Sequence, residues 1–485
     1  MGSDPQFSKF PNLALAQNIF SLTTSPRQAQ QNSIQYVTRA IKEHKMAPLY
    51  RHLAHPTEGV LNSKGEGSAS AAASQPPQPS EPRRRGSLVQ SNLVPSKKAL
   101  AGGLLPWDES LYEELKADNE KELGEIQKEE EEAQEKAGES EIQAARGKRA
   151  EFWARVGDKD KAIESYEALL EKSGPLGTKI DLVLAIIRVG LFFNDKAFVK
   201  KQIDRANILV ESGGDWDRRN RLKAYKGLHL LTIRSYNIAA PLLLDSLSTF
   251  TSYELCSYSA LVLYAVLSGT LALKRTDFKT KVVDAPEIKA IMGSGEEKMP
   301  GADEEMKDVS TATPEKATVV NLTTLGTGQG MEGAESEMPM DFTSVSSLVR
   351  SLYEGNYKAF FVALASVEET FLQQDRYLNE HKGWFVREMR LRGYQQLLQS
   401  YRVVGLKAMA DAFGISVELL DRDLAKFISA GRISCTIDRV QGVIETTRPD
   451  DKNKQYADVV KQGDALITKL QKYGQAVRLR GSERT

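Results

Sequence analysis

Residues 391–448 read LRGYQQLLQS YRVVGLKAMA DAFGISVELL DRDLAKFISA GRISCTIDRV QGVIETTR. Tyr394, Leu397, Leu398 and Tyr401 recur at helical spacing and give a first helix one apolar face. Leu406, Met409, Ala410 and Phe413 repeat the pattern at i, i+3, i+4 and i+7 for a second, shorter helix, which Gly414 ends. Ser416 predicts the N-cap of a third helix with Leu420, Leu424, Phe427 and Ile428 on its inner face. Ala430-Gly431 closes that helix, because glycine takes the left-handed conformation just past a helix end without steric cost. The period then changes to two: Ile433, Cys435 and Ile437 alternate with Ser434, Thr436 and Asp438, which is a strand. A turn around Gln441-Gly442 leads into a second strand, Val443 to Thr447. Three helices followed by a β-hairpin is the order of a winged helix.

A winged helix that reads DNA needs cations for phosphates and polar donors for base edges. The third helix carries Glu418, Asp421 and Asp423 against Arg422 and Lys426, and Arg432 and Arg439 sit beside Asp438 and Glu445. That balance argues against nucleic acid. The alternative is a docking block whose hairpin edge pairs with a neighbour's strand, with Ile433, Cys435, Ile437, Val443 and Ile444 as candidate contacts.

The rest of the chain reads as a stalk for this block. At 485 residues, length allows two to four domains. The 65 basic and 65 acidic side chains cancel, so no global field draws the chain to nucleic acid or membrane. Cys256 and Cys435 lie far apart in apolar contexts, as buried thiols in a reducing compartment rather than a disulfide. No signal peptide is expected, since the first residues lack a charged n-region and a long apolar run. Leu255 to Leu273 is free of charge but holds Ser257, Ser259, Ser268 and Thr270, and amphipathic segments flank it. It reads as a buried helix pair broken near Ser268-Gly269, not a membrane span.

Residues 1–55 form an N-terminal helical segment of one or two short helices ending near Leu49-Tyr50. Residues 56–105 are a Ser-, Ala-, Pro- and Gln-rich linker expected to be disordered, with Arg83-Arg84-Arg85-Gly86-Ser87 inside it. Residues 106–147 predict a long, charged, solvated helix with the acidic run Glu129–Glu132 as an exposed face. Across 148–390 a turn-then-helix unit recurs at Gly157-Asp158, Asn194-Asp195, Tyr236-Asn237, Thr276-Asp277 and Gly355-Asn356. The interval is near that of tetratricopeptide repeats. Each helix pair buries its apolar face only against the next, so the fold class is mostly α: a right-handed solenoid of such repeats, then the winged helix at 391–449. Residues 293–340 interrupt the array as a flexible, mildly acidic insertion.

Residues 450–485 give one last amphipathic helix, with Tyr456, Val459, Val460, Leu466, Leu470 and Tyr473. Having nothing left to cover in its own domain, it is expected to pack with partner helices, through Tyr456, Val460, Leu466 and Leu470. The densest polar cluster is Gly213 to Lys223. There Trp216, Arg218 and Arg219 suit a partner contact, or an intramolecular ion network capping a helix that starts near Asp217; both can hold.

Catalytic patterns are missing from the sequence. His52 and His55 stand three apart without a further ligand nearby, and no Cys-x-x-Cys pair exists. No glycine run ends in Gly-Lys-Ser/Thr, and no Gly-x-Ser-x-Gly elbow occurs. Gly326-Thr-Gly-Gln-Gly330 lies in the insertion, without the flanking strand and helix that a phosphate loop needs. No enzyme, cofactor or metal is expected.

Helical repeats leading into a winged helix resemble the PCI domain, shared by the proteasome lid, the COP9 signalosome and translation initiation factor three. Gly213 to Lys223, Ser248-Thr-Phe-Thr-Ser-Tyr-Glu-Leu255, Val386-Arg-Glu-Met-Arg390, Met409-Ala-Asp-Ala-Phe-Gly414 and Phe427-Ile-Ser-Ala-Gly-Arg432 are similar to the proteasome-lid family called non-ATPase regulatory subunit seven. The resemblance runs from about Trp107 to Val477, and more weakly over 7–55. It implies a non-catalytic scaffold of the 26S regulatory-particle lid, in cytoplasm and nucleus. Its winged helix would pack beside those of other PCI lid subunits, and its C-terminal helix would join a bundle. Implied partners are those subunits, a small acidic lid protein, the lid deubiquitinase and the ATPase ring, with no nucleic acid and no membrane. A signalosome-type PCI scaffold, and further off a winged-helix nucleic-acid regulator, are the alternatives.

Overall fold

The computed structural model describes residues 7, 9–24, 27–56, 59–61, 105–136, 138–292, 341–446 and 451–482. Nearly all of the 56–105 linker, with Arg83–Arg85 and Ser87, and the whole 293–340 insertion lie outside the described residues. The chain divides into two units: Met1–Tyr353 with Val362–Glu388, and Glu354–Phe361 with Met389–Thr485.

The first unit is built from helices. Three come from the N-terminal segment: α1 (Leu13–Thr24), α2 (Arg27–Glu43) and α3 (Ala47–Ala54). They are anchored to the rest of the unit. The Gln17 side chain donates to the Gln374 carbonyl and accepts from the Arg376 amide, and Tyr50 stacks on Trp107 at 4.9 Å. Where one long charged helix was expected there are two, α4 (Glu109–Lys136) and α5 (Glu139–Val156). The acidic run is not simply solvated. Glu130 pairs with Arg146 and Arg149, and Glu129 with Lys148, across the α4–α5 contact. Sequence spacing of 16 to 19 residues hid those pairs behind the apparent exposed face.

The repeats follow as α6 (Lys159–Lys172), α7 (Leu176–Phe192), α8 (Lys196–Glu211), α9 (Trp216–Thr232), α10 (Tyr236–Ser246) and α11 (Tyr258–Ala272), each packed on the next. One turn device recurs. A residue with positive φ (Gly157, Asn194 or Gly355) reverses the chain, and the next side chain caps the following helix. Asp158 accepts from the Lys161 amide, Asp195 from Phe198 and Asn356 from Ala359. Each satisfies an amide that a helix start leaves unpaired. From Ile180 to Phe192 every residue of α7 is buried, as is Ala260 to Thr270 of α11, so neighbours cover these helices all round. Contrary to the expected break, α11 continues through Ser268-Gly269. Gly269 sits there because a Cβ would come within 2.9 Å of Val282. The hydroxyls of Ser268 and Thr270 are spent on the Ala265 and Val266 carbonyls. Among the described residues no helix is long and apolar enough to cross a membrane. After α11 come α12 (Arg275–Phe278), a π turn at Lys279–Val283, α13 (Pro286–Met292), α14 (Thr343–Glu354), α15 (Tyr357–Val367) and α16 (Lys382–Ser400).

The second unit takes the last turns of α16, then β1 (Val403–Gly405), α17 (Leu406–Phe413), α18 (Val417–Ser429), β2 (Cys435–Asp438), β3 (Val443–Thr446) and α19 (Asp451–Ser482). Its caps follow the sequence: Gly414 and Gly431 both have φ +67°, and the Ser416 hydroxyl accepts from the Leu419 amide. The core gathers Leu391, Tyr394, Met409, Phe413, Leu420, Leu424 and Phe427. Tyr394 meets Phe413 edge-on at 4.9 Å, and Tyr357 stacks on Phe413 at 4.7 Å. Tyr401 lies past the end of α16 and is exposed, so it does not extend that helix's apolar face. The sheet has a third strand, in the order β1-β3-β2, all antiparallel, with Val404 opposite Ile444 and Ile437 opposite Ile444 on its other side.

Candidate interaction surfaces

Three surfaces were expected to meet partners, and the structure treats them differently. The first is the hairpin. Cys435 and Ile444 are buried in the unit's own core with Ile433, and Ile437 packs against that core. Burial raises the Cys435 thiol above its usual range, as an apolar site does to any group that ionises to a charge. These side chains hold the wing to the helices. β3, carrying Val443 and Ile444, is the central strand, so its backbone is paired on both sides. The sheet's edges are β1 and β2. Near the sheet, Val403 in β1 and Val440 at the hairpin turn are exposed apolar groups, as are Tyr401 and Val417. That turn is fixed by Asp438, whose carboxylate accepts from the Val440 and Gln441 amides, and by Gly442 at φ +67°.

The charges of α18 are also redistributed by folding. Asp423 is buried and takes a 2.7 Å bond from Arg390. Asp421 accepts from Arg439 of the hairpin at 2.8 Å. The exposed charges left on α18 are Glu418, Arg422 and Lys426. Two cations are too few to supply the row of phosphate contacts that nucleic-acid affinity is built from.

The second surface is α19. Tyr456, Val460, Leu466 and Leu470 are all exposed, and so are Val459, Ile467, Tyr473 and Val477. Their numbering fits a heptad. Tyr456, Gly463, Leu470 and Val477 occupy one position; Val459, Leu466 and Tyr473 lie three residues further on; Val460 and Ile467 flank them. A seven-residue apolar repeat sustained over three turns of the pattern is a coiled-coil seam. Ile467 and Val477 were not singled out from the sequence, although the period of seven contains them.

The third surface is the start of α9. Arg218 grips Asp181 through two bonds, at 3.1 and 2.7 Å, and also reaches Asp215 at 2.5 Å. Arg221, fully buried, bonds Glu254 at 2.7 Å and Asp181 at 3.4 Å, and Tyr225 donates to Glu254 at 3.0 Å. The neighbouring carboxylates hold the Arg218 guanidinium further above its ordinary range. This is an intramolecular network joining three repeats, which a buried charge requires. Arg219 is exposed and donates to the Gly214 carbonyl at the helix entrance. Trp216 is left out of the network with 66% of its surface exposed.

Stacked helix pairs, a winged helix whose sheet is completed by a strand before α17, and a lone apolar-seamed helix define a PCI-domain protein. The model of that domain, described as "PCI domain", matches residues 364–448. The chain belongs to the RPN7 family of 26S proteasome regulatory subunits. The model "26S proteasome subunit RPN7" matches residues 108–281, and "26S proteasome regulatory subunit RPN7/PSMD6 C-terminal helix" matches 455–477. The Saccharomyces cerevisiae 26S proteasome regulatory subunit RPN7 is 39% identical over 490 residues, spanning 99% of this chain and 96% of that one. The Dictyostelium discoideum 26S proteasome non-ATPase regulatory subunit 6 is 32% identical, over 98% of this chain and 100% of its own. An Arabidopsis thaliana COP9 signalosome complex subunit 1 is 27% identical over 120 residues, 25% of this chain.

Proposed function

We propose that the chain is a non-catalytic structural subunit of the lid of the 26S proteasome regulatory particle, supporting ubiquitin-dependent degradation as an assembly part. The observation that carries this reading is α19, 32 residues with an apolar seam that its own fold leaves exposed. Such a helix is stable only against other helices, since an isolated one gains little from its own backbone. A C-terminal helix matched by its own family model is the natural place for contacts shared across the family. The winged helix would dock beside those of other PCI lid subunits through the β1 or β2 edge. The repeats, with Trp216 and Arg219 at one turn, would face further lid proteins, including a small acidic one, the deubiquitinase and the ATPase ring. The setting is cytoplasm and nucleus.

The test is purification of the tagged chain from its native lysate at moderate salt, followed by native mass spectrometry of every stoichiometric partner. Co-recovery with proteasome lid and ATPase subunits is expected. Recovery with signalosome subunits would keep the fold and replace the complex. Recovery alone, or with duplex nucleic acid, would overturn the scaffold reading.

A further inference from the structure

In the two rows that define the seam of α19, Gly463 is the one position between Tyr456 and Val477 without a side chain. Its neighbours three and four positions away are Val459, Val460, Leu466 and Ile467, all apolar and all exposed. They wall a socket whose floor is bare helix backbone. Glycine is the poorest helix former short of proline, so one in the middle of a 32-residue helix needs a cause. Elsewhere in the chain the cause is on view. A Cβ on Gly190 would come within 2.7 Å of Val199, on Gly227 within 2.6 Å of Leu243, on Gly269 within 2.9 Å of Val282 and on Gly393 within 3.3 Å of Phe413. At each of these a side chain from a neighbouring element lies where the glycine's own would have been. A Cβ on Gly463 would meet nothing within 4 Å. Gly124, Gly383 and Gly474 are equally open, yet each has charged residues among its neighbours three and four positions away, and Gly463 has none.

We infer that the Gly463 socket receives one bulky apolar side chain, leucine-sized or larger, from a partner helix that is acidic beside Lys469 and Arg478. Charge complementarity supplies the second half of that description. From Ala465 to Arg478 the helix carries Lys469, Lys472 and Arg478 and no acid, and Lys469 and Arg478 stand on opposite flanks of the seam in the heptad. Geometry supplies the first half. A coiled-coil knob enters a hole of four facing residues, and a glycine floor deepens the hole by a whole side chain. The socket thereby selects both the partner helix and its register. A small residue placed opposite would leave a void, and a charged one would be buried unpaired. This rests on the reading of α19 as an assembly helix and adds the chemistry of its occupant.

The experiment is competition between the tagged full-length parent and G463L for the purified remaining lid subunits, with circular dichroism of each isolated chain. Leucine is apolar and the better helix former, so on a seam without a knob at this point G463L would assemble as well as the parent or better. Against a filled socket it overpacks, and assembly should fall about ten-fold or more while helix content is kept or rises. T468L, the same leucine placed off the seam, should assemble as the parent does. If L466A/L470A weakens assembly and G463L does not, the seam stands and the socket is overturned. If neither weakens it, the assembly reading of α19 falls and the socket with it. In the assembled complex, zero-length carbodiimide coupling should join Lys469 or Lys472 to an acid of one partner helix. Truncating that helix's bulky residue opposite Gly463 to alanine should weaken the parent about ten-fold, and G463L should restore it. Coupling to no acid, or no restoration, would overturn the inference.

Discussion

The pair Leu466 and Leu470 separates the stability of this chain from its assembly. Their exposures are 61% and 67%, so both side chains are still available to be buried. Complete burial of a leucine is worth about 1.5–3 kcal/mol. The remaining two-thirds is therefore about 1–2 kcal/mol each, or 2–4 for the pair. L466A/L470A should weaken incorporation by about 30- to 700-fold at 1.4 kcal/mol per decade. The same variant should leave the isolated chain's melting unchanged, because nothing is removed from a core and alanine is the better helix former. The control is K461A/T468A, two positions away from the seam, which should assemble as the parent does. The assay is competition between tagged parent and variant for the remaining lid subunits, with thermal unfolding followed by circular dichroism. Assembly indistinguishable from the parent would refute the seam as an interface. A lowered melting temperature of the isolated chain would refute its being unpartnered.

Other consequences concern the fold. I444A, on the central strand with no exposed surface, should cost the winged-helix unit about 2–4 kcal/mol, read as earlier proteolysis of that unit in denaturant. R218A should cost about 3 kcal/mol, because Asp181 keeps only the 3.4 Å contact from Arg221, whereas W216A should stay within about 0.5; chemical denaturation distinguishes them. Burial raises the phenols of Tyr166, Tyr236 and Tyr394 well above their ordinary value near 10. The folded state then keeps protons that the unfolded chain releases. Their contribution is whole below about pH 10 and is lost as pH rises beyond it, so ionisation of these three phenols should appear as a step of tyrosinate absorbance that coincides with unfolding, and Y166F/Y236F/Y394F should lack that step.

The winged helix was legible because its signals are local. Ser416, Gly414 and Gly431 act within a few residues of where they stand, and the 3.6 period of α17 and α18 is written in the chain itself. β1 was not legible. Val403-Val404-Gly405 is too short to alternate, and it becomes a strand only by pairing with Glu445, Ile444 and Val443 about forty residues on. The same distance rule explains the charge readings. The acids of α18 look like a negative face until Arg390 and Arg439 are folded onto Asp423 and Asp421. Glu129 and Glu130 look solvated until α5 returns along α4. At Gly213–Lys223 both sequence readings were open, and folding assigned the arginines unequally: Arg218 to the ion network, Arg219 and Trp216 to the surface.

Hydrophobic residues in this chain therefore fall into two classes that composition cannot tell apart. In the repeats and the winged helix the apolar period is consumed inside the unit, which is why Ile433, Cys435 and Ile444 of the hairpin lie in its core. In α19 the same kind of period has no consumer among the described residues. A helix of 32 residues is about 48 Å long and collects too little tertiary energy alone to offset the ordering of its backbone. On the proposed function, the contacts that stabilise it as an apolar-seamed helix come from other chains. Order in α19 and membership of the complex are then thermodynamically linked, and partner helices that close the seam should raise its protection from hydrogen exchange in proportion to occupancy.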